Sequence, residues 1–392
     1  MKKRIAFVVQ RYGLEVNGGA ELLCRQMAEH LADLYDIDII TTKAVDYLTW
    51  KDEYSADEEV INGIRVKRFG VKSKRIPRFF NYFSYLVEKV QHVAFLENKW
   101  IKIQGPNCPK MIDYIKEHKD DYDAFVFVTY LYYHTVKGLE IVADKSILVS
   151  TAHDEPQIYM DVFKKVFGDV KALYYLTGAE KDFVEKTFGV ADKLNNNGEG
   201  GAGVDLPASV DASYLKREKG IENYIVYAGR IDEFKGCKAM IEYYNQYRQI
   251  HGDDVKLVLM GKASMELPKD DNIIYLGFVD DQVKFDVIAG AKALIMPSQF
   301  ESLSIVVLEA MAQKVPVIVN GKCSVLKQHC EISKAGLWYE DGKGFVDCLE
   351  RLMASEEYCR ELGARGVEYI NQRYTWDVVR DRMSALIEAV TK

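Results

Sequence analysis

The sequence predicts an α/β protein with two doubly wound domains, each built on a mostly parallel sheet. Short β-rich apolar runs alternate with longer helical patterns along most of the chain, which is typical of parallel α/β architecture. The 392 residues are enough for two domains with separate cores. A Gly- and Asn-rich stretch, 195–203, lies between the halves and has the composition of a linker.

The predicted elements follow from these patterns in chain order. Strands are predicted in the first half at 4–10, 35–42, 122–130, 146–151 and 172–177. Strands are predicted in the second half at 224–228, 256–260, 272–276, 293–296 and 315–319. One helix, 19–34, follows the first strand, and an apolar-periodic helix, 378–390, ends the chain. The predicted domains are 1–195, joined by the tail 376–392, and 205–375.

Composition excludes several classes of protein. Hydrophobic residues make up 48% and charged residues 28%, as in ordinary globular proteins. A net charge of −7 argues against a nucleic-acid binder, which would carry a basic field. No apolar run approaches a membrane span, and Arg11 interrupts the apolar start before a signal-peptide pattern develops. The seven scattered cysteines lack a Cys-x-x-Cys pair and indicate reduced thiols, so we expect a cytoplasmic protein.

Two carboxylates, Glu301 and Glu309, lie where the strand 293–296 should give way to a helix. Ligands of open parallel sheets bind at this edge. With a helix start near 302–304, eight residues at helical rise span about 12 Å, roughly the distance from sugar ring to ribose in a nucleotide-diphosphate sugar. Unpaired helix N–H groups between the two carboxylates would bind the diphosphate. The alternative is a solvent-facing Glu at each end of an ordinary helix.

Arg230 and Lys235 follow the strand 224–228 and can both face the same edge. A guanidinium and an ammonium suit a diphosphate that gains negative charge as it leaves. A surface salt-bridge role is the alternative for Arg230.

Two loops of the first half also follow strands. Asn17-Gly18-Gly19 lies between a strand and a helix, where glycine lets backbone N–H groups approach a phosphate, or merely permits a tight turn. His153 follows the strand 146–151 and could donate to a sugar, or cap or pack. His153-Asp154-Glu155 lacks a second histidine at ligand spacing, so no metal site is predicted. The Gly198-x-Gly200-x-x-Gly203 match is not followed by a helix and is better explained as a hinge.

Together these motifs resemble the family-4 retaining glycosyltransferases (glycosyltransferases group 1). The matching pieces are Gly18-Gly19-Ala20-Glu21, the His153 loop, Gly229-Arg230 with Lys235-Gly236, Glu301-x7-Glu309 and the tail Tyr374-Thr375-Trp376-Asp377. The resemblance covers essentially the whole chain and implies the GT-B fold, in which two Rossmann-like domains face a central cleft. In that family such a tail crosses back onto the first domain.

The resemblance also implies residue roles. Arg230 and Lys235 would hold the diphosphate, Glu301 would contact donor sugar hydroxyls, and Glu309 would bind the ribose. Gly18 and Gly19 would approach the phosphates, and His153 would line the sugar. The remaining donor-binding positions are Phe278, Ser302, Leu303, Ser304 and Ile305. The family usually has glycine at the position of Ser304, and the hinge here is longer than usual.

The function expected from this resemblance is metal-independent retaining transfer of a sugar from a UDP- or GDP-sugar, with no cofactor. The acceptor would be a glycan or a lipid-linked molecule in surface polysaccharide assembly. A sugar-nucleotide epimerase and a non-catalytic nucleotide-sugar binding protein are the alternatives.

A basic and aromatic stretch, 65–87, is the predicted contact with an anionic surface on the inner face of the membrane or with a lipid-diphosphate acceptor. Its basic part contains Arg65, Lys67, Arg68, Lys72, Lys74, Arg75 and Arg78. A solvated loop followed by a core helix is the alternative.

Overall fold

The computed structural model describes residues 2–16, 18–90 and 92–392, so Asn17 of the predicted Gly loop lies outside the described residues. The chain divides into two compact units. The first contains Met1–Ala202 and Asp377–Lys392, and the second contains Gly203–Trp376. The sequence analysis divides the chain at 195–205 and at 375–376.

The first unit has an eight-stranded sheet of order β3-β4-β2-β1-β5-β6-β7-β8. Its strands are β1 Arg4–Val8, β2 Asp36–Thr42, β3 Glu58–Ile61, β4 Ile64–Phe69, β5 Ala124–Val128, β6 Ser146–Val149, β7 Ala172–Tyr174 and β8 Leu194–Asn195. The pair β3–β4 is antiparallel, and the other neighbouring pairs are parallel. The strand order reverses between β1 and β5.

Helices cover this sheet. They are α1 Gly19–Leu31, α2 Pro77–Lys89, α3 Ala94–Gln104, α4 Pro109–His118, α5 Tyr133–Val142, α6 Asp161–Asp169, α7 Gly178–Phe188 and the tail helix α15 Trp376–Val390. Short 3₁₀ turns occupy Lys119–Asp121, Ala143–Lys145 and Pro156–Tyr159. The core between sheet and helices is rich in aromatic side chains, including Phe125, Phe127, Trp100, Phe163 and Phe167.

The second unit has a six-stranded, fully parallel sheet of order β11-β10-β9-β12-β13-β14. Its strands are β9 Tyr224–Ala228, β10 Lys256–Met260, β11 Ile273–Gly277, β12 Ala293–Met296, β13 Val317–Asn320 and β14 Gly336–Tyr339. Its helices are α8 Tyr214–Lys219, α9 Cys237–His251, α10 Asp281–Ala289, α11 Ile305–Ala312, α12 Ser324–Ser333, α13 Gly342–Met353 and α14 Glu356–Arg373. The order is that of a doubly wound sheet, with its switch point between β9 and β12.

All ten predicted strands are present, and β9, β10 and β12 have the predicted bounds. The sequence patterns missed β3, β4, β8 and β14. The error at β4 matters because three residues of the predicted basic membrane contact lie in this strand. Arg65 pairs with Asp36, Lys67 with Glu58, and the buried Arg68 with Glu59. These three cations are part of the sheet and are paired, so they do not belong to the solvated loop that was the alternative for this stretch.

The part of the predicted linker that lies in the first unit, residues 195–202, makes specific contacts with the end of β7. The side chain of Asn196 brackets Tyr175, accepting from its N–H and donating to its carbonyl, each at 2.8 Å. A Cβ on Gly200 would collide with the Tyr175 carbonyl oxygen, which explains the glycine there.

Two further expectations concern the whole chain. All seven cysteines are free thiols, six of them buried. Within 2–16, 18–90 and 92–392, no helix is both long and apolar enough to cross a bilayer.

Candidate active site

The candidate site lies at the carboxyl edge of the second sheet, at its switch point. Strands β9 and β12 are parallel neighbours, with Ile225 opposite Ala293 and Val226 opposite Leu294. The loop after β9 carries Arg230 and Lys235, and the loop after β12 carries Glu301. The strand order therefore brings two chain segments about 70 residues apart to one crevice.

Lys235 and Glu301 meet directly across this switch point. The Lys235 ammonium donates to the Glu301 carboxylate at 2.7 Å. Their side chains are 33% and 15% exposed, so the pair is accessible from solvent. The structure thus brings together two of the predicted site residues.

Asp232 organises the Arg230–Lys235 loop, a role that the sequence patterns missed. One of its carboxylate oxygens accepts from the Arg230 guanidinium, and the other accepts from the Lys235 backbone N–H at 2.7 Å. A single, largely buried carboxylate therefore orients both cations of the loop. Its spacing of two residues after Arg230 is the signal that could have indicated this role.

Gly236 allows this loop to pack against the neighbouring strand end. Its φ is +77°, in the left-handed region, and a Cβ there would lie 2.5 Å from the Pro297 carbonyl oxygen. Pro297 directly follows β12, and α9 begins one residue after Gly236. Glycine is therefore required both for the backbone conformation and for the close approach.

The loop from Glu301 to Ser304 leads directly into α11. The helix begins at Ile305, one residue after the predicted range, so helical rise separates Glu309 from the helix start by only about 6 Å. The predicted 12 Å span between the carboxylates does not follow from helical geometry, because 301–304 is not helical. Ser302 is half-buried, and Leu303 is buried below it.

Ser304 is the N-cap residue of α11 and has φ +64°. This left-handed conformation explains why a glycine suits the position and why serine is strained there. The Ser304 hydroxyl is buried and has no hydrogen-bond partner within the described part of the chain. The residue is thus stabilised neither by its backbone conformation nor by its own side chain.

A buried series of hydrogen-bonded polar groups supports the loop from Glu301 to Ser304. His329 Nε2 lies 2.8 Å from the Leu303 carbonyl oxygen, and its Nδ1 lies 2.9 Å from the Tyr369 hydroxyl. The Tyr369 hydroxyl is 3.2 Å from that of Tyr374. Burial lowers the pKa of His329 to about 4, so the ring is neutral near pH 7 and donates through Nε2. The motif residue Tyr374 is linked in this way to the Glu301 loop.

Glu309 lies one turn inside α11 and is buried. One of its oxygens accepts from the Lys284 ammonium, on α10, at 2.9 Å. Burial raises the pKa of the Glu309 carboxyl, and the Lys284 charge opposes this rise. Lys284 was not predicted as part of the site, because it lies 25 residues before its partner.

Phe278 is strongly exposed on the loop after β11. Phe234 and Phe300, on the loops after β9 and β12, are exposed as well. Exposed aromatic rings on three loops at one sheet edge are suited to contact with a planar or apolar ligand group.

In the first unit, Gly18 is the N-cap of α1 and Gly19 is the first residue of that helix. A Cβ on Gly18 would collide with the Glu21 carboxylate, which is bound to Arg11 at 2.6 Å. Gly19 faces open space, so nothing in the structure restricts its side. A side chain at Gly19 would therefore meet no described atom within 4 Å, whereas one at Gly18 would displace the Glu21 carboxylate.

His153 lies on the loop after β6. Its Nε2 is 3.4 Å from a Glu155 carboxylate oxygen. Burial alone would raise the pKa of Glu155, but hydrogen bonds with His153 and Tyr130 hold it below its ordinary value. Glu180 anchors this loop by accepting from the Ala152 N–H at 2.6 Å, and burial raises the pKa of Glu180 to about 7.

Two other features do not coincide with the candidate site. A pocket of about 640 Å³ in the second unit includes Asn223, Val255 and Lys292, which precede β9, β10 and β12, so it lies at the opposite edge of the sheet. Within 2–16, 18–90 and 92–392, the group of possible metal ligands is His92, Glu97 and Asp161. Glu97 already accepts from two N–H groups at the start of α6, and Asp161 pairs with Lys164.

Comparison with known proteins agrees with this geometry. The model of the family "Glycosyl transferases group 1" matches residues 214–369, which lie in the second unit. An uncharacterized glycosyltransferase of Methanocaldococcus jannaschii is 21% identical over 95% of both chains.

Solved structures resemble the chain over nearly its whole length. Sucrose-phosphate synthase of Thermosynechococcus elongatus matches with a TM-score of 0.74 and 17% identity, over 99% of both chains. HepE of Anabaena, solved with UDP and glucose, matches with a TM-score of 0.69 and 15% identity, over 99% of this chain and 100% of that one. Together with the two doubly wound sheets, these similarities identify the fold. Residues 214–369 match the glycosyl transferases group 1, and the chain has the GT-B fold.

Proposed function

We propose that the protein transfers a sugar from a UDP- or GDP-sugar to a glycan or lipid-linked acceptor. The observation that carries the proposal is the meeting of Lys235 and Glu301 at the switch point, beside Arg230. Cations and a hydroxyl-binding carboxylate within one crevice match the two ends of a sugar diphosphate. HepE, a structural neighbour, has been solved with UDP-glucose, which supports a nucleotide-sugar donor.

In this proposal the cations stabilise the leaving group. Glycosyl transfer passes through an oxocarbenium-like state while negative charge develops on the departing diphosphate. Arg230 and Lys235, oriented by Asp232, would neutralise that charge without a metal ion. The N-terminus of α11 would add its unpaired N–H groups.

The remaining residues of the second unit would orient the donor. Glu301 would accept from sugar hydroxyls once the diphosphate takes its place on Lys235. Glu309 has one oxygen on Lys284, and its other oxygen would bind the ribose. Phe278 would contact the base. The retaining stereochemistry, the surface polysaccharide role and the contributions of Gly18, Gly19 and His153 rest on the family resemblance alone.

A panel of nucleotide sugars tests the proposal. The protein is incubated with UDP-glucose, UDP-galactose, UDP-N-acetylglucosamine or GDP-mannose, and released nucleoside diphosphate and the fate of the sugar are measured. We expect one donor to raise the melting temperature and to release nucleoside diphosphate, and Glu301→Gln to slow that release. Conversion of the donor to an epimer without release would instead support an epimerase. Binding without turnover across a broad acceptor panel would support a non-catalytic protein.

A further inference from the structure

Helix α2 carries an exposed apolar stripe in addition to the face that it buries. The stripe consists of Ile76, Phe79, Tyr82, Leu86 and Val90, all of which are exposed. Spacings of three and four residues place Phe79, Tyr82 and Leu86 on one side of α2, and Ile76 and Val90 are the capping residues at its two ends. We call this set the α2 face. Surface helices ordinarily present polar residues on the side away from the core.

The side of α2 adjacent to these residues fixes the helix to the first unit, and the exposed Phe79 ring stacks on the buried Phe83 ring. Phe83 and Val87 belong to the buried core, and Phe80 packs against it. Ser84 accepts a hydrogen bond from the Trp100 indole at 2.8 Å. The α2 face is therefore held outward by a packed interior, and it cannot turn inward without breaking that core.

The next helix also begins with exposed apolar residues. Val93 precedes α3, and Phe95, in its first turn, is 76% exposed. Groups of exposed apolar residues on neighbouring helices are a common feature of interaction sites on soluble domains.

The charge around the α2 face is basic, in contrast to the rest of the chain. Residues 71–104 contain seven Lys and Arg and two Glu, in a protein of net charge −7. The exposed cations are Lys72, Lys74, Arg78, Lys89, Lys99 and Lys102. The nearby carboxylates are already engaged, because Glu88 accepts from Gln157 and the buried Glu97 accepts from the start of α6.

We propose that the α2 face docks on an anionic lipid bilayer. Aromatic and aliphatic side chains flanked by Lys and Arg are the composition that inserts at a lipid headgroup boundary. Anionic headgroups complement the cations, and the acidic remainder of the protein makes the attraction local. A twofold contact between two copies would oppose the same cations to each other, which disfavours a second copy as the occupant. This inference does not depend on the proposed function.

Vesicle sedimentation tests the proposal with the full-length protein. Vesicles of phosphatidylcholine alone are compared with vesicles containing 30% phosphatidylglycerol, at low salt and at 0.5 M NaCl. We expect binding to the anionic vesicles, at least about tenfold weaker binding to neutral ones, and strong weakening by salt because the Debye length shortens.

Matched variants distinguish vesicle binding by the α2 face from nonspecific vesicle binding by other exposed residues. Ile76→Ser is compared with Ile250→Ser on α9, because the two isoleucines are 66% and 65% exposed. The double variant Ile76→Ser/Tyr82→Ser should reduce partitioning at least about tenfold, whereas Ile250→Ser should leave it within about twofold. Likewise, Lys74→Gln/Arg78→Gln should weaken binding, and Lys219→Gln/Lys343→Gln, both exposed lysines of the second unit, should not.

The outcomes decide the proposal. Unchanged melting temperatures in the α2 variants would show that lost binding is a surface effect. Absence of vesicle binding by the wild type, or equal loss in the Ile250→Ser control, would overturn the assignment. A concentration-dependent dimer in analytical ultracentrifugation that Ile76→Ser/Tyr82→Ser abolishes would replace the lipid surface by a second copy.

Discussion

Lys235 and Glu301 form an ion pair of 2.7 Å between the loops that follow two adjacent strands, β9 and β12. In the absence of donor, the two charges neutralise each other at the place where a sugar diphosphate is proposed to bind. A diphosphate that engages Lys235 would release the Glu301 carboxylate toward the sugar hydroxyls. Ligand binding thus exchanges one ion pair for two charge-assisted contacts, so little unpaired charge is ever left in the site.

Glu301→Gln and Arg230→Ala should each lower transfer at least about 100-fold, the scale of one preorganised transition-state contact. Steady-state kinetics on the identified donor measures the effect. Glu233→Gln and Lys238→Ala, exposed neighbours on the same side of the sheet, should stay within about twofold of wild type. Near-wild-type rates in both site variants, with intact folding, would refute the assigned site.

Removal of divalent ions should leave transfer largely intact, because Arg230 and Lys235 supply the positive charge at the diphosphate. The assay is repeated after dialysis against EDTA, and the rate is compared with that in added Mg²⁺ or Mn²⁺. A rate that returns only when metal is added would contradict this reaction scheme.

Gly236→Ala should destabilise the second unit more than Gly252→Ala, although the two glycines have φ of +77° and +81° and flank the same helix, α9. A Cβ at Gly252 meets open space, so only backbone strain of about 1 kcal/mol is added. At Gly236 the Cβ also approaches the Pro297 carbonyl oxygen, so a loss of about 2–4 kcal/mol is expected.

Urea unfolding of both variants measures this difference. Because Gly236 also positions Lys235, we expect its substitution to lower activity at temperatures where the variant is still folded. Equal destabilisation by the two substitutions would show that the contact with Pro297 is not limiting.

The strands of the site were predictable because they are continuous apolar runs, as in β9, β10 and β12, and buried parallel strands require such runs. Strand β4 was missed because its sequence, Ile64-Arg65-Val66-Lys67-Arg68-Phe69, contains three cations. Its sequence nevertheless alternates between apolar and charged residues from Ile64 to Lys67. Arg68 departs from the alternation of apolar and charged residues, because this charged side chain is buried. Its guanidinium pairs with Glu59 and donates to the Tyr12 carbonyl.

The charged residues of the candidate site, Arg230, Lys235 and Glu301, could be located by their place after a strand. The residues that hold the site's loops and carboxylates in position could not. Lys284 reaches Glu309, and His329 reaches the Leu303 carbonyl, from elements 25 and 26 residues away in sequence. Neither has a local pattern that distinguishes it from a surface lysine or a core histidine. Only the packing of α10 and α12 against α11 and its loop reveals these roles.

Ser304→Gly should stabilise the protein by about 1 kcal/mol, because it relieves the left-handed strain and removes a buried hydroxyl without a partner. The greater entropy of glycine in the unfolded chain offsets part of this gain. Ser304→Ala is the matched comparison, since it removes the hydroxyl and keeps the strain. Thermal unfolding that ranks Ser304→Gly below Ser304→Ala would show that strain is not the dominant effect here.

His329 should make stability fall in acid. Its pKa is about 4 in the folded protein and about 6.5 when unfolded, so the unfolded state binds the proton first. The neutral ring contributes to the free energy of unfolding fully above pH 6.5, and this contribution is lost as the pH falls through about 4. The largest possible loss is about 3 kcal/mol. His329→Gln can still donate to the Leu303 carbonyl but cannot take up a proton. The free energy of unfolding, measured in urea between pH 4.5 and 7.5, should therefore decline less steeply in this variant than in the wild type.

The control is His251→Gln, which replaces an exposed histidine on α9 and should follow the wild type. Parallel declines in wild type and His329→Gln would mean that other groups, and not the ring beneath the Glu301 loop, set the acid sensitivity.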